Sequence, residues 1–552
     1  MKKGLAGVSA ATVVFLFALL GAILVAIFAI FKLPLWWACI GAVALIGLQF
    51  LLNPWLTDLT MRWFYKAKFG GELPPFLDSF IRQTCEKNNM KLPKIGFIQD
   101  GAPNAFTYGR TKNSARIILT RGLLEMLDEE ELKGVVAHEL GHATHYDMLL
   151  MTVVQLVPFV LLGIYEACIG VSRTASKPKA KSGSGNNNSG GGILVIVGLV
   201  ALVLYAICQL VILWLSRTRE YFADQFAYET TGDPNSLASA LVKIGLGLST
   251  RESVQEGKKK ARSVASPTAL GISDKKSAAP MTACSIGVDG KASPENIRRA
   301  MNWERWNLWA KLHELANTHP LTSKRLLALA AAAPQYGQTP YVQAGSEKKP
   351  AGLGGLFCLE LIISLMSLLF LIVGIAASIA LAKVIEPLNW LFYVGVVGAG
   401  FFLLCLVEFF YRHPKEFRAA TAETLLGELR VSNVTAIPCK LTGKLIGRGD
   451  PGCIFNENFV LHDGTGILLL NYNQPLKTMN KFFALFRSKQ YLDQDVTVTG
   501  WFRRGPTPYV DMLDFTTADG TTKKMHGPGA AKIALIVCTV LFAALAVLSF
   551  FL

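Results

Sequence analysis

The chain has 552 residues, 51% of them hydrophobic, with ten cysteines and a net charge of +16. In a soluble protein that charge would suggest nucleic acid. Here the apolar residues gather in runs of about 20, enough to cross a hydrocarbon core, with Lys and Arg at their flanks. Six cysteines (Cys39, Cys168, Cys208, Cys358, Cys405 and Cys538) sit inside those runs and no CxxC pair occurs, so no disulfide framework is expected.

Seven candidate spans follow in chain order, at 8–31, 35–54, 148–171, 193–215, 355–381, 389–410 and 530–552. The first is too long for a signal-peptide core, and the second comes after only Lys32-Leu33-Pro34, so the pair is predicted to be a retained hairpin. Lys2 and Lys3 before it, and Arg62, Lys66 and Lys68 after it, place both of its ends in the cytoplasm. Seven spans then leave the C-terminus outside. The Ser/Gly/Asn-rich loop 172–192 carries four positive charges although it should be external. Either the charge rule bends there or spans three and four form a hairpin that does not fully cross; the first reading is preferred.

Residues 56–147 mix helical and strand patterns, and 216–335 read as helices around a polar insert at 251–295. Residues 411–528 are β-rich. Strands are predicted at 434–446, 459–462 and 466–472, a helix at 476–490, and strands at 495–503 and 508–516, which is the order of an OB barrel. Trp501, Arg503, Arg504 and Tyr509 fit a nucleic-acid face weakly. A domain tethered between spans better suits protein contacts or a structural role, and no nucleic-acid partner is expected.

The chemistry is carried by the segment ahead of the third span, Asp128-Glu-Glu-Glu-Leu-Lys-Gly-Val-Val-Ala-His138-Glu139-Leu-Gly-His142. Asp128 is a natural N-cap with Glu131 three residues on. Leu132, Val135, Val136, Leu140 and Ala143 recur at helical spacing and predict a buried helix. On it, His138 and His142 are one turn apart and can share one ion, with Glu139 beside them to act on a water. Burying two His and a Glu without a metal would be costly.

Zinc needs a third protein ligand. A third His ten residues after the first would fall at Met148, which excludes the metzincin pattern. His145, one turn past His142, is one candidate. The other lies after span four, where Glu220 and Asp224 share a helix face, so that one can bind metal while the other accepts a ring N–H. His142 precedes span three by six residues and Glu220 follows span four by five. A hairpin returns both to the same side, each roughly 8–9 Å from the bilayer edge, which favours Glu220.

These residues resemble the gluzincin integral membrane zinc metalloproteases of the HtpX and CAAX prenyl protease type. The likeness consists of HExxH, then span, loop, span, then Arg217-x-x-Glu220-Tyr-x-Ala-Asp224. Pro103-Asn104-Ala105-Phe106, with Tyr108-Gly109-Arg110 and an Ile-Ile-Leu-Thr strand, is similar to the family's substrate-side edge strand. Asn317-Thr318-His319-Pro320, with Arg325 six residues on from His319, is similar to its C-terminal signature. The resemblance covers about residues 8–335. It implies one zinc ion per chain, bound by His138, His142 and Glu220, and a zinc-activated water with Glu139 as general base. It further implies that His319 stabilises the oxyanion, that Arg325 and Asp224 orient the ligands, and that Asn104 and Ala105 pair with an extended peptide.

The expected fold is a multi-span α-helical membrane protein with a mainly α (α+β) zinc metalloprotease domain and a small C-terminal OB-like β-barrel. The expected domains are a transmembrane hairpin (1–55), the protease with spans three and four (56–335), a linker (336–354), a second hairpin (355–410), the OB-like domain (411–528) and a final span (529–552). The implied activity is cleavage of membrane or membrane-associated proteins on the cytoplasmic side of the cell (plasma) membrane, with protein or peptide substrates and the lipid bilayer as partners. A prenyl-peptide (CAAX-type) protease and a non-catalytic scaffold using the OB-like domain are the alternatives. Oligomeric state is open.

Overall fold

The computed structural model describes residues 48, 51–52, 55–101, 103–175, 189–250, 294–343, 345, 349–381, 390–448, 457–505 and 507–551. The predicted first hairpin lies outside the described residues, apart from 48 and 51–52, as do 176–188 of the basic loop and 251–293 of the polar insert.

A helix over 55–63 leads into a small sheet of β1 (Lys68–Phe69), β2 (Lys94–Ile98), β3 (Ala105–Tyr108) and β4 (Arg116–Thr120), ordered β1-β2-β4-β3. β2 and β4 are parallel, and β3 is the outer strand, antiparallel to β4 with Ala105 opposite Leu119. Between β1 and β2, α1 (Pro75–Lys87) opens with a proline in its first turn, where a missing N–H costs nothing, and buries Leu77, Ile81 and Cys85 at four-residue spacing. β4 runs into α2 (Arg121–Met126) and then α3 (Glu129–Thr144), which begins with the predicted capping box. Asp128 accepts from the Glu131 N–H and the Glu131 carboxylate accepts from the Asp128 N–H, each at 3.0 Å. The core gathers around α3, where Val135, Val136 and Leu140 pack with Ile117, Leu119, Leu237 and Leu241.

Five described helices are long and apolar enough to cross a membrane, matching the predicted spans three to seven. The protein is a multi-pass membrane protein. The third span is α4 (Asp147–Val154) followed by α5 (Leu156–Ala175), interrupted at Gln155. Pro158 explains the break, because its ring crowds the Val154 carbonyl and offers it no N–H. The helix of the fourth span does not end with the apolar run near 215. α6 (Ser189–Thr231) is one helix of 43 residues, roughly 65 Å long against a hydrocarbon core of about 30 Å, so its C-terminal part projects out of the bilayer. α4 and α5 run antiparallel to α6, with Val154, Val157 and Leu161 clustering with Cys208, Ile212 and Leu215.

α7 (Pro234–Thr250), α8 (Pro294–Trp306), α9 (Leu308–Leu315) and α10 (Thr322–Ala332) complete the catalytic region. Beyond them come α11 (Leu353–Leu381) and α12 (Trp390–Arg412), then β5 (Arg418–Ala419) and α13 (Ala422–Gly427). The barrel strands are β6 (Ile437–Arg448), β7 (Phe459–His462), β8 (Ile467–Asn471), β9 (Asp495–Arg504) and β10 (Pro508–Thr517), with α14 (Lys477–Phe486) between β8 and β9. Pairing runs β6-β7-β8-β10-β9 and returns to β6, with only β8 and β10 parallel within this ring. This is a closed five-stranded barrel in OB order, as the strand order predicts. β11 (Thr522–Lys524) then leads to the last span, α15 (Gly527–Leu548), which packs closely on α12. A Cβ at Gly395 would meet Ala546 N at 2.5 Å, the close approach that small residues allow between membrane helices.

The barrel is fastened to the catalytic region by buried groups. Trp303 Nε1 donates to Val431 O at 2.8 Å and Asn307 Nδ2 to Leu429 O at 3.0 Å. Arg504 lies over the Trp303 ring, 4.7 Å from its centroid, and donates to Leu426 O and Ala300 O. Trp501, Arg503 and Arg504, weighed from sequence as a nucleic-acid face, are all buried and engaged in internal contacts. On α11, Glu360 accepts from Trp309 Nε1 and from Ser432 Oγ, joining a span, the catalytic region and the barrel at one buried carboxylate.

Candidate active site

Helix α3 carries one half of the site and α6 the other, and they approach closely at Gly141. A Cβ there would stand 3.1 Å from Ala223 Cα and 3.2 Å from Phe226 Cβ, tighter than ordinary contact, so a larger residue would push α3 and α6 apart by a few tenths of an ångström. Gly141 lies between His138 and His142, and Ala223 between Glu220 and Asp224, so the approach brings both pairs together. His138 Nε2 is 3.6 Å from Glu220 Oε2, and His142 Nε2 is 3.5 Å from Glu220 Oε1. The two imidazole rings meet edge to face at 4.8 Å. The three residues offer ligand atoms that all lie within 4.8 Å of one another.

Each ring is held from behind by a carboxylate. Asp224 Oδ1 lies 2.9 Å from His138 Nδ1, and Asp147 Oδ2 lies 2.8 Å from His142 Nδ1. With a carboxylate on the Nδ1 side, each ring presents Nε2 toward Glu220, the nitrogen through which it could hold a metal. Asp147 in turn forms an ion pair with Arg219, which also donates to His145 O. Arg325 is buried and grips Asp224 through two bonds, Nε to Oδ2 at 2.9 Å and Nη2 to Oδ1 at 2.6 Å, while its Nη1 stands 3.3 Å from Glu220 Oε2. Burial opposes the charge on this guanidinium, but the Asp224 and Glu220 carboxylates outweigh it and hold its pKa above the ordinary arginine value.

His319 reaches the site from the loop between α9 and α10. Its Nε2 lies 3.5 Å from Glu220 Oε1, and its Nδ1 is 2.9 Å from Thr318 Oγ1. That loop is clamped by Arg217, whose Nη1 donates to Glu314 O at 2.7 Å and Asn317 O at 2.9 Å. Glu139 is buried on α3, and its backbone carbonyl accepts from Thr107 Oγ1 at 3.1 Å, which ties the outer strand β3 to the helix. Asn104 and Ala105 are buried at the start of β3, where the Asn104 N–H donates to Thr120 Oγ1 and the Asn104 Nδ2 makes no hydrogen bond. His145 stays apart. It caps the C-terminus of α3 with its ring 5.7 Å from Phe222 and 5.8 Å from Phe226.

The structure therefore brings His138, His142, Glu220, Asp224, His319 and Arg325 into one cluster, with Glu139 on the same helix and Asn104 and Ala105 on the strand bound to it. Sequence reasoning missed Asp147, Arg217 and Arg219. The signals were present: an Asp at the border of a span, five residues after His142, and two arginines just ahead of Glu220 on α6. Their partners, however, are backbone carbonyls and a carboxylate far away along the chain.

The residues fit a metal ion. Ligand atoms each about 2.1 Å from a tetrahedral zinc stand roughly 3.4 Å apart, close to the two His–Glu220 spacings, and two imidazoles with one carboxylate are a common zinc donor set. His138 Nε2 is fully buried and makes no hydrogen bond, a cost that a ligated ion removes. A buried His-His-Glu cluster beside HExxH, in a chain anchored by several spans, defines a membrane-bound metalloprotease.

Comparison with known proteins agrees. The family model described as Peptidase family M48 matches residues 75–333. A Protease HtpX homolog of Methanothermobacter thermautotrophicus is 37% identical over 247 residues, covering 44% of this chain and 86% of the relative. Another, from Aquifex aeolicus, is 34% identical, covering 37% of this chain and 67% of the relative. A solved structure titled "Crystal Structure of S. mikatae Ste24p" shares 19% identity, with a TM-score of 0.35 over 57% of this chain and 62% of that one. The chain belongs to peptidase family M48 and is an HtpX-type membrane metalloprotease. The family match ends before α11, so the last three spans and the barrel lie beyond it.

Proposed function

We propose that the protein is a zinc-dependent endopeptidase that cleaves membrane or membrane-associated proteins on the cytoplasmic side of the membrane. The observation that carries this reading is the convergence of His138 Nε2, His142 Nε2 and the Glu220 carboxylate one residue from Glu139. His138, His142 and Glu220 hold one zinc ion per chain. When bound, the ion supplies Lewis acidity toward a peptide carbonyl and toward water. Glu139 takes the proton from the attacking water and returns it to the leaving amine. His319 donates from its ring to the developing oxyanion. Asp224 and Asp147 fix the ligand rings, and Arg325 holds the two carboxylates of α6 in register.

The substrate lies along β3. That strand is unpaired on its outer edge among the described residues, and its tie to the Glu139 carbonyl sets an added peptide strand beside the catalytic helix. The unpaired Asn104 amide supports this, because it can donate to a passing peptide carbonyl.

The test uses the full chain in lipid nanodiscs. Metal analysis should find close to one zinc per chain, and a chelator should stop cleavage of a membrane protein substrate. Glu139→Gln should keep the metal and lower the cleavage rate at least about a hundredfold. Normal cleavage by that variant would overturn the mechanism. Selective cleavage of a farnesylated peptide, with membrane proteins left intact, would overturn the substrate class.

A further inference from the structure

Helix α14 carries an apolar stripe that no described part of the chain covers. Asn480, Phe483 and Ala484 are buried against the barrel, with Phe483 stacked on Tyr472 at 4.0 Å. Leu476, at the extended cap just ahead of the helix, and Met479, Phe482 and Phe486 on it are 61%, 47%, 65% and 75% exposed, the last three recurring at the three- and four-residue steps that form one helical face. Phe482 and Phe486 stack on each other at 6.0 Å. Together with Leu485 these are all the large apolar side chains exposed on the barrel among the described residues; most of the others lie on the membrane spans. An apolar patch confined to one element of a domain marks a contact surface.

What covers the stripe follows from where α14 begins. The N–H of Gly527, the first residue of span α15, donates to Asn473 O at 3.2 Å. The His526 N–H donates to Gln474 Oε1 at 3.2 Å, and Gln474 Nε2 donates to Lys524 O at 3.0 Å. Leu476 is two residues from Gln474, so the stripe starts where α15 goes into the bilayer. The barrel is also held to the end of α12. Trp501 Nε1 donates to Pro414 O and Arg503 Nη2 to Arg412 O, each at 2.7 Å. Lys477 and Lys481, one turn apart and exposed, face away from the stripe. Apolar side chains on one face and lysines on the other, at the depth of a span terminus, are the arrangement of a helix lying in the membrane interface.

We infer that α14 is an interfacial helix whose Met479–Phe482–Phe486 face, with Leu476 at its cap, is seated in lipid, in the leaflet that α12 and α15 share on the barrel side. It holds the barrel flat against the membrane, a third attachment besides the two spans. Its occupant is bilayer lipid, not a protein partner.

The experiment replaces Phe482, Phe486 or, as a control, Lys481 by the photo-crosslinker p-benzoyl-phenylalanine in the full chain. The protein is reconstituted in nanodiscs of phosphatidylcholine and phosphatidylglycerol, irradiated and analysed by mass spectrometry. Folding of each variant is checked by its unfolding midpoint. The expected result is lipid adducts at 482 and 486 several-fold above those at 481. Equal yields at all three positions, or adducts at 482 and 486 to a second chain in place of lipid, would overturn the inference.

Discussion

At the scale of single residues, the proposed metal site is backed by a layer of charged groups. Each of the two imidazoles has its own carboxylate, Asp224 for His138 and Asp147 for His142, and each carboxylate has its own arginine, Arg325 and Arg219. Removing such a partner typically costs a metal site about 10–100-fold in affinity. Asp147→Ala should therefore weaken zinc binding by about that factor in a chelator competition, with the fold intact. Glu220→Ala should lose most of the bound zinc, and His145→Ala should lose little, because the His145 ring packs beside Phe222 and Phe226, away from the ligands. The reverse ranking in metal analysis would make His145 the third ligand.

At the scale of elements, one helix pair makes the centre possible. The continuity of α6 matters here, since a 43-residue helix passes from membrane to site without a joint and fixes Glu220 relative to the span. The contact that uses this rigidity is Gly141 against Ala223. A branched side chain there must push two backbones apart, which usually costs about 1–3 kcal/mol. Gly141→Val should lower the unfolding midpoint and reduce zinc retention together. A variant with wild-type stability and full metal content would show that the helices need not meet so closely. The capping box at Asp128 and the buried face of α3 were readable from sequence, because caps and 3.6-residue periodicity are local patterns. The extension of α6 was not: the hydrophobic run stops near 215, whereas helix continues wherever backbone bonding and tertiary packing sustain it.

At the scale of the whole molecule, the catalytic region and the barrel share one face of the membrane. They are joined by Trp303, Asn307, Arg504 and Glu360, and α11 and α12 return the chain to the side it left. The proposed cytoplasmic placement is tested by single cysteines at the exposed positions Ser79 and Lys440, read with a membrane-impermeant thiol reagent against the unmodified chain. Burial pushes the native Cys85 thiol up to about 11 and Cys439 up to about 12, so these two interfere little, and Cys284 and Cys453, which lie outside the described residues, are first replaced by serine. Both introduced cysteines should be shielded in intact cells and react after lysis. Labelling of either in intact cells would place that region outside.

The amino-acid order alone was enough for the spans three to seven, the metal-binding helix and the strand order of the barrel. Each rests on a pattern carried within a few dozen residues: apolar length, an i, i+4 histidine pair with a capped start, and alternating strands in sequence. Even the pairing of His142 with Glu220 followed from counting residues to the ends of a hairpin. Only the tertiary structure decided which carboxylate stands behind which ring, how closely α3 meets α6 at Gly141, and that Arg503 and Arg504 face inward. Those contacts link residues from a few to about two hundred positions apart, such as Arg504 with Ala300. For the most distant of them no local period or spacing specifies the partner, and burial, which turns a basic residue from a surface charge into an internal tie, exists only once the chain has folded around it.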